Sequence, residues 1–560
     1  MSWALDLGTT NTGLARWDKA AGQPRLVALP DLCRNPLGKN ALEAPGLVPS
    51  VLEFLPARSA LDSLGRWQPL EALWLVGRTA HIGRSALERN LGLANEAFVP
   101  GFKTALGQDP TRAMARLGRD VLSARDAARA FLRELFADVR RETGYRIRDL
   151  VLTVPVDAYE GYRAQLEEIV RSLGVRRVRF VDEPLAAALG YGLGLTADRN
   201  VLVVDIGGGT MHVALARLSA ARGQQGQVEV LGKAGSQLGG NAIDSWVLAH
   251  VCRRMGYTLE TLPDEEELRL WRRLMLAEAC RVKEAVYLER SSEFLLTPPG
   301  LCRRVAPGAS GVQTATFTRD DLVEVLRENG FYAALADAVD KLFVSPDSVP
   351  KEAVDEVLMV GGSTLLPGVF PLLEERFGRH RVRGWQPFEA VAFGAAAFGS
   401  DRYKQLDFIV HDYAFMTYDA KTHEPRYTVV VPRGTRFPTA RDLWKSQVVP
   451  TCSLGEPETL FKLVVCEIGR AEAGARQFVW DAAGDLHKSG GTNGDGRVIV
   501  PLNESSPVLG RLDPPHAPRD RRARLEISFG VDENRWLVAS VADLVTGRDL
   551  MHEQPVVRLL

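Results

Sequence analysis

The chain has 560 residues, more than one hydrophobic core usually organises, so we expect two or three domains. Apolar residues make up 46% of the chain and charged residues 25%, a composition that excludes an extensively disordered protein. The 69 Lys and Arg residues nearly balance the 70 Asp and Glu residues, so the overall charge gives no reason to expect binding to nucleic acid or to a membrane.

Targeting and cysteine patterns indicate a cytoplasmic protein. The first residues lack the basic and apolar segments of a signal peptide, and no run of about 18 apolar residues occurs. The six cysteines are scattered, with no C-x-x-C pair and no His at ligand spacing. This argues against both a zinc site and a disulfide framework.

Up to about residue 400, short apolar runs alternate with amphipathic stretches. Residues 151–155 predict a strand and residues 162–173 a helix, a pattern typical of an α/β layered fold. Around residues 403–412 the pattern changes to a period of two, which predicts strands at 427–431, 460–465, 525–531 and 536–541. Residues 532–535 predict a hairpin turn, and the Gly- and Pro-rich segments 488–496 and 506–517 predict loops. The C-terminal part is therefore expected to be an all-β sandwich.

One motif occurs twice, each time directly after an apolar strand. Residues 3–5 lead into Asp6-Leu7-Gly8-Thr9-Thr10-Asn11, and residues 201–204 lead into Asp205-Ile206-Gly207-Gly208-Gly209-Thr210. The glycines let backbone N–H groups approach an anion closely, and the hydroxyls add donors. Either motif alone is equally compatible with an ordinary tight hairpin turn, but the duplication favours two hairpins that clamp a polyphosphate.

The two aspartates in these motifs are candidates for a magnesium site. Mg²⁺ bound to phosphates keeps several waters and needs only one or two carboxylates, often through those waters. We therefore expect Asp6 and Asp205 to bind Mg²⁺ through water.

A third strand leads into glycines at residues 357–364. Here Gly361, Gly362 and Ser363 would let a base and ribose lie against the backbone, although a simple strand-to-helix turn is an equally good interpretation of this segment alone.

Three further segments carry a family resemblance. They are Glu183-Pro184-Leu185-Ala186-Ala187-Ala188, residues 238–244 with Gly239 and Gly240, and residues 388–396. Together with the three loops, they resemble the heat-shock-70 (DnaK-type) chaperone family over essentially the whole chain. The resemblance implies an actin-like (ribonuclease-H-like, duplicated) ATPase domain over residues 1–400, a linker over 401–412, and a β-sandwich peptide-binding domain over 413–560.

The resemblance also implies roles for single residues. Lys103 resembles the catalytic lysine, which would neutralise phosphoryl charge and orient the attacking water. Glu183 would sense the metal through water, and Lys283 is similar to a lysine of the adenosine pocket. The implied contacts with Mg·ATP come from Asp6, Gly8, Thr9, Thr10, Asn11, Asp205, Gly207, Gly208, Gly209, Thr210, Gly239, Gly240, Gly361, Gly362 and Ser363. Pro155, Arg163, Asp407 and Asp412 would couple the two domains.

The sequence departs from the family pattern at several positions. His212 stands in place of an aspartate near the metal's water shell, which puts hydrolysis in doubt more than binding. Leu365 replaces an arginine that stacks on adenine, and Cys280 and Tyr287 differ from an acid and a serine of the adenosine pocket. In the linker, His411 replaces a leucine, which would make docking weaker and pH-sensitive.

The resemblance finally implies partners. The expected partners are unfolded or extended polypeptides, J-domain co-chaperones and nucleotide-exchange co-chaperones. The sequence ends at Leu560, just after the predicted β domain, so we expect the helical lid of the family to be missing and bound peptide to leave quickly.

Three functions are compatible with these features. The first is an ATP-dependent chaperone-like protein with a slow ATPase, in which Mg·ATP changes the affinity of the β-sandwich for unfolded peptide. The second is a nucleotide-gated adaptor with weak or no hydrolysis and a dedicated partner. The third, a sugar or acetate kinase, shares the double clamp but leaves the β domain unexplained.

Overall fold

The computed structural model describes most of the chain. The described residues are 2–36, 45–56, 79–90, 96–118, 120–156, 160–192, 197–219, 226–236, 238–257, 266–297, 311–343, 349–384, 389–401, 403–409, 411–419, 422, 424–452, 456–470, 478–480, 486–488, 497–504, 507–532 and 535–559.

The chain divides into two compact units. The first comprises Met1–Asp157 and Leu166–Gln405, and the second comprises Ala158–Gln165 and Leu406–Leu560. No helix among the described residues is long and apolar enough to cross a membrane.

The first unit mixes strands and helices. Its strands are β1 (Trp3–Leu7), β2 (Asn11–Asp18), β3 (Gln23–Leu26), β4 (Val48–Pro49), β5 (Val51–Phe54), β6 (Ala80–Ile82), β7 (Phe98–Pro100), β8 (Ala113–Leu117), β9 (Asp120–Ser123), β10 (Asp149–Val154), β11 (Arg177–Asp182), β12 (Arg199–Ile206), β13 (Met211–Ser219), β14 (Gly226–Ser236), β15 (Ser291–Leu296), β16 (Gln313–Thr318), β17 (Glu356–Val360) and β18 (Val382–Gly384).

Its helices include α1 (Gly83–Arg89), α2 (Phe102–Gln108), α3 (Ala124–Thr143), α4 (Glu160–Ser172, whose first turns group with the second unit), α5 (Glu183–Gly192), α6 (Gly240–Arg254), α7 (Glu266–Leu288), α8 (Arg319–Glu328), α9 (Phe331–Lys341), α10 (Val369–Phe377) and α11 (Ala390–Gly399). Lys351–Ala353 and Gly362–Leu365 form short 3-10 helices.

Two sheets of this unit share one strand order. The first runs β11-β10-β1-β2-β3, with β4 also on β2, and the second runs β18-β17-β12-β13-β14. In each sheet, the central strand has one parallel and one antiparallel neighbour. Strand β1 is parallel to β10 and antiparallel to β2. Strand β12 is parallel to β17 and antiparallel to β13. The equivalent hairpins, β1-β2 and β12-β13, carry the two glycine motifs.

Small residues allow helices α5 and α11 to approach closely. A Cβ atom on Gly394 would lie 1.5 Å from the carbonyl oxygen of Ala186, and one on Gly190 would lie 2.9 Å from that of Ala390. Gly190 and Gly394 are therefore required by this close backbone contact. The contact packs α5, which begins at Glu183, against α11.

Apart from the first turns of α4, the described part of the second unit is built from strands. They are β19 (Tyr403–Phe408, which crosses the division), β20 (Asp412–Tyr418), β21 (Pro425–Val431), β22 (Arg436–Phe437), β23 (Trp444–Val448), β24 (Glu458–Leu463), β25 (Val465–Arg470), β26 (Phe478–Trp480), β27 (Leu486–Lys488), β28 (Arg497–Pro501), β29 (Val508–His516), β30 (Leu525–Val531), β31 (Trp536–Asp543) and β32 (Arg548–Arg558).

Two four-stranded sheets of this unit share one core. Their strand orders are β21-β20-β25-β28 and β23-β30-β31-β32. The core takes Tyr413 and Phe415 from the first sheet and Ile527, Phe529 and Leu537 from the second. Alternate residues of these strands therefore face inward, as the period-two pattern predicts.

Most sequence-predicted elements are confirmed. The strands at 151–155, 427–431, 525–531 and 536–541 and the helix at 162–173 correspond to β10, β21, β30, β31 and α4. Strands β30 and β31 form the predicted antiparallel hairpin. Residues 533–534 of its turn, and residues 489–496 of one predicted loop, lie outside the described residues.

Two predictions for the second unit are wrong. The predicted loop at 506–517 is largely strand β29, which tolerates its two prolines because it pairs only with β24 in the described chain. The single predicted strand at 460–465 is broken at Val464. The Asn503 side chain bridges the break, since it accepts from the N–H of Val465 and donates to the carbonyl of Leu463, at 2.9 Å each.

Candidate nucleotide-binding site

A cavity of about 310 Å³ lies in the first unit, at the tips of the two motif hairpins. All but one of the predicted catalytic and nucleotide-binding residues line it. The lining residues include Asp6, Gly8, Thr9, Thr10, Asn11, Lys103, Glu183, Asp205, Gly207, Gly208, Gly209, Thr210, Gly240, Lys283, Gly361, Gly362 and Ser363. The exception, Gly239, packs beneath the cavity, where a Cβ atom would lie 2.6 Å from the carbonyl carbon of Gly209.

A serine outside the sequence motifs is hydrogen-bonded to the first hairpin turn. Ser50 Oγ donates to the carbonyl of Gly8 at 2.7 Å and lies 2.9 Å from Thr12 Oγ1. A Cβ atom on Gly8 would lie 2.1 Å from the carbonyl oxygen of Asn11, so this turn requires glycine. The backbone N–H groups of the turn are thereby kept in one arrangement beside the cavity.

The two hairpin turns approach each other within side-chain contact distance. A Cβ atom on Gly208 would lie 2.3 Å from Thr10 Oγ1, and one on Gly209 would lie 2.8 Å from Thr9 Oγ1. The glycines of the second turn therefore make room for the threonine hydroxyls of the first. Backbone N–H groups and hydroxyls from both turns meet at one place, which is the requirement for holding a polyphosphate.

The third glycine segment is tied to the second hairpin. Gly361 has a φ of +83°, and a Cβ atom there would lie 2.4 Å from the Ile206 carbonyl oxygen and 2.7 Å from Asp205 Oδ1. Ser363 Oγ donates to the carbonyl of Gly207 at 3.1 Å. The glycine segment after strand β17 thus packs directly against residues 205–207 of the second hairpin.

Three carboxylates lie together with one lysine at the floor of the cavity. Glu183 and Asp205 are each 7% exposed and Asp6 is partly buried, and Lys103 Nζ lies 2.6 Å from Glu183 Oε1. Burial, followed by repulsion from Glu183, raises the pKa of Asp6 to about 6, although Lys103 and a 2.7 Å hydrogen bond from Thr153 Oγ1 oppose this. Burial and the charges of Glu183 and Asp6 raise the pKa of Asp205 well above its usual value.

This charge imbalance fits a divalent cation. One lysine does not offset three carboxylates, so the cluster has excess negative charge in a buried place. In the described part of the chain, no three His, Cys, Asp or Glu side chains are arranged to hold a metal directly. Mg²⁺ that is bound to phosphates commonly keeps several waters and needs only one or two carboxylates.

His212 lies directly beside this cluster. It is opposite Asp205 in the β12-β13 pairing and is 1% exposed, and its Nδ1 atom lies 3.6 Å from Glu183 Oε2. A side chain that departs from the family pattern thus contacts the same carboxylate that Lys103 pairs with.

The far end of the cavity combines a buried ion pair with apolar side chains. Lys283 Nζ lies 2.7 Å from Asp244 Oδ1 and donates to the carbonyl of Gly240 at 3.2 Å. Cys280, Tyr287 and Leu365 line the same end. Burial raises the pKa of the Cys280 thiol to about 12 and also raises that of the Tyr287 phenol, so both groups stay neutral at physiological pH.

Several supporting residues gave no signal in the sequence. Besides Ser50 and Thr153, Lys233 on β14 pairs with Asp182, the residue before Glu183, at 2.8 Å, and both side chains are buried. No local motif marks these residues, because their partners are distant in the chain.

The four residues predicted to couple the domains lie elsewhere. Pro155 follows β10 and is half-buried, and Arg163 is buried in α4. Asp412 accepts from the N–H of Arg433 at 2.7 Å. Asp407 lies in β19, and its side chain is outside the described part of the structure.

Comparison with known proteins identifies relatives over nearly the whole chain. The chain is 25% identical to the chaperone protein DnaK of Thermotoga neapolitana, covering 99% of this chain and 82% of that protein. It is 26% identical to DnaK of Thermotoga petrophila, over 81% of this chain and 68% of that protein. It is also 25% identical to the chloroplastic heat shock 70 kDa protein 6 of Arabidopsis thaliana, over 97% of this chain and 67% of that protein.

A protein-family model indicates the same relationship. The model described as Hsp70 protein matches residues 80–474, which include Lys103, Glu183, Asp205 and the third glycine segment. Since this match covers well over half of the sequence, the chain belongs to the Hsp70 family.

Proposed function

We propose that this protein is an ATP-dependent chaperone-like protein. Its first unit would bind Mg·ATP and hydrolyse it slowly, and its second unit would bind unfolded polypeptide with an affinity that depends on the nucleotide. The observation that carries the proposal is the meeting of two glycine-threonine hairpins over a cluster of the partly buried Asp6 with the buried Glu183, Asp205 and Lys103.

The two similar sheets support an actin-like, duplicated ATPase domain over residues 1–400. Each sheet presents its hairpin turn to the same cavity, so the phosphates would lie between the turn at Gly8–Thr10 and the turn at Gly207–Thr210. Ribose and base would extend past Gly240 and Lys283 to Gly361, Gly362 and Ser363. The cavity is of the size that drug-sized ligands commonly occupy, about 300 to 1,000 Å³.

Asp6 and Asp205 would hold Mg²⁺ through water, and the ion would supply positive charge to the phosphates. Lys103 would place its ammonium group near the transferred phosphoryl oxygens, where charge develops during hydrolysis. Glu183 keeps that ammonium group in place through their 2.6 Å contact, and Thr210 would add a hydroxyl donor beside Asp205. Thr153 fixes one oxygen of Asp6.

The strands of residues 406–560 in the second unit support the peptide-binding role. Its shared core of two sheets is the architecture of a β-sandwich, assigned here to residues 413–560 after a linker at 401–412. Extended clients would bind through main-chain hydrogen bonds and an apolar pocket. Pro155, Arg163, Asp407 and Asp412 would transmit the nucleotide state, and J-domain and nucleotide-exchange co-chaperones would regulate it.

Calorimetric titration with Mg·ATP and single-turnover hydrolysis test the nucleotide part of this proposal. Asp205→Asn should abolish hydrolysis and weaken Mg·ATP binding, because it removes a buried carboxylate from the cavity floor. Asp320→Asn is the matched control, since Asp320 is an exposed aspartate of the same unit. Failure of the unaltered protein to bind Mg·ATP would refute the proposal.

A second candidate function is a nucleotide-gated adaptor that binds ATP without useful turnover. Two observations favour it, the buried His212 against Glu183 and the aliphatic Leu365 at the far end of the cavity. An adaptor would bind Mg·ATP and a dedicated partner, yet single-turnover hydrolysis would be undetectable and unfolded peptides would not bind.

A further inference from the structure

In the sheet β23-β30-β31-β32 of the second unit, three chain segments lie side by side where strands begin or end. The N–H of Arg524 donates to the carbonyl of Val448 at 3.0 Å, and the N–H of Leu544 donates to the carbonyl of Arg524 at 2.7 Å. The residues after β23, before β30 and after β31 therefore protrude side by side. We call Val449, residues 517–524 and residues 544–548 the arginine-rich end.

This end exposes both cations and apolar side chains. Residues 517–524 contain four arginines and one aspartate, and Arg519, Arg521 and Arg522 are exposed. Val449, Leu544 and Val545 are 37%, 43% and 61% exposed. Apolar side chains that are exposed together and rimmed by charge are typical of an interaction surface, whereas isolated ones are not.

The apolar side chains are presented on a rigid turn. Asp543 Oδ1 accepts from the N–H of Val545 at 2.9 Å, and Gly547, with a φ of +69°, closes the turn by donating to the carbonyl of Asp543 at 2.8 Å. Arg524 fixes Asp543 in turn, with Nη2 and Nε 3.0 and 3.3 Å from Oδ2. A surface that is already ordered loses less conformational entropy on binding.

The two aspartates near this end do not neutralise the charge of all its exposed arginines. Asp543 is buried and paired with the buried Arg524, and Asp520 is paired with Arg522 at 2.8 Å. Arg519 and Arg521 thus remain as exposed positive charge in the segment whose last residue, Arg524, is hydrogen-bonded to Leu544. A partner with complementary chemistry has an apolar segment with carboxylates beside it.

The adjacent sheet edge favours an extended polypeptide over other acidic partners. In the described part of the chain, β23 is the last strand of its sheet, so the backbone groups on its outer side face away from β30. An extended segment can add to such an edge, with side-chain specificity supplied by neighbouring surfaces.

We propose that the arginine-rich end docks extended polypeptide segments that have an apolar centre and acidic flanks. The proposal rests on the peptide-binding function given above and specifies the charge of the clients that this chain prefers. Leu544, Val545 and Val449 contact the apolar centre, and Arg519 and Arg521 contact the flanking carboxylates.

Three fluorescent peptides test this preference. They share the core Leu-Leu-Val-Leu-Leu and carry Glu-Glu, Ser-Ser or Lys-Lys on both sides, and their affinity for the full chain is measured by anisotropy without nucleotide. We expect the Glu-flanked peptide to bind on the order of tenfold more tightly than the Lys-flanked one, since several exposed ion pairs form. This preference should shrink as NaCl is raised, because salt screens exposed charges.

The double variant R519E/R521E should reverse the order of the peptides. R426E/K462E, which reverses two exposed cations outside this surface, should leave the order unchanged. All four changed side chains are exposed, so thermal unfolding should show that both variants are folded. The salt dependence of peptide binding by the unaltered protein tests the charge preference independently of any variant.

Equal affinity for the three peptides, tighter binding of the Lys-flanked peptide, or equal effects of the two double variants would overturn the proposal. If Mg·ATP still released peptides of every charge, the proposed chaperone function would stand and only the charge preference would fail. Binding to anionic lipid vesicles without any peptide preference would also overturn it and would identify the surface as a membrane contact.

Discussion

Lys103 Nζ lies 2.6 Å from Glu183 Oε1 in a part of the first unit where both side chains are less than 10% exposed. Lys103 comes from α2 and Glu183 from the start of α5, and the two are 80 residues apart in the chain. The contact places a fixed positive charge among the carboxylates that face the nucleotide cavity, and it gives the lysine one defined position.

Replacing this lysine should separate hydrolysis from binding. We expect Lys103→Met to slow single-turnover ATP hydrolysis by on the order of 100-fold or more, because a positioned charge that stabilises the transition state is lost. Calorimetry should show Mg·ATP affinity changed by much less. A parallel loss of affinity and rate would contradict the proposed role.

The same substitution should also destabilise the fold. Removing one partner of a buried ion pair typically costs about 3–5 kcal/mol, whereas an exposed pair contributes about 1 kcal/mol or less. Lys341→Met, which breaks an exposed pair with Asp337, is the matched control. The double variant Lys103→Met, Glu183→Gln should recover much of the lost stability in denaturant unfolding but none of the hydrolysis.

The raised pKa of Asp6 predicts a pH dependence of stability. Its pKa is about 6 in the folded chain and near 3.8 in the unfolded chain, so the folded state binds the proton more tightly. The stabilisation is complete below about pH 4 and is lost as the pH rises through about 6. Without Mg²⁺, it should amount to at most about 3 kcal/mol.

Denaturant unfolding of the unaltered protein and of Asp6→Asn between pH 4 and pH 7 measures this effect. The difference between the two should vary across that window and should flatten when Mg·ATP is present, because the ion stabilises the ionised carboxylate. Parallel pH profiles for the two proteins would show that Asp6 ionises normally.

Gly361 should be irreplaceable because a side chain there would clash with neighbouring atoms, in addition to the strain of its positive φ. Gly361 and Gly118 both have positive φ, but a Cβ atom on Gly361 would meet Ile206 and Asp205, whereas one on Gly118 meets nothing within 4 Å. Gly118→Ala should cost about 1–2 kcal/mol and leave Mg·ATP binding intact. Gly361→Ala should cost more and abolish binding in a calorimetric titration; equal behaviour of the two variants would contradict the arrangement of the third loop.

His212→Asp should alter stability and hydrolysis in opposite directions. A fourth carboxylate beside Asp6, Glu183 and Asp205 should lower the melting temperature without Mg²⁺, since buried like charges repel. With Mg·ATP it should raise the hydrolysis rate, because it adds negative charge near the ion's water shell. His212→Asn changes the same position without adding charge, and equal hydrolysis by both variants would exclude the charge effect.

The sequence was sufficient to predict features that are local in the chain. Apolar runs that lead into glycines, with an Asp in two of the three cases, identified β1, β12 and β17 and the glycine turns after them, because strand and turn signals act over a few residues. The supporting contacts could not be predicted in this way. Ser50 and Gly8 are 42 residues apart, Lys233 and Asp182 are 51 apart, and Thr153 and Asp6 are 147 apart.

The misassigned strand β29 has a related cause. Pro514 and Pro515 indicate a loop when the segment is considered alone, but a strand that pairs with one neighbour in the described part of the chain can accept them. Likewise, His212 is visible in the sequence as a departure from the family pattern, but its contact with Glu183 depends on how β13 lies against the start of α5.

The most direct test of the central claim is the rate at which a bound fluorescent unfolded peptide dissociates after rapid mixing with Mg·ATP. The protein is predicted to release the peptide faster with Mg·ATP than with Mg·ADP, and Asp205→Asn should abolish this difference while Asp320→Asn retains it. Identical dissociation rates with the two nucleotides, in a protein shown to bind both, would contradict a nucleotide-controlled chaperone.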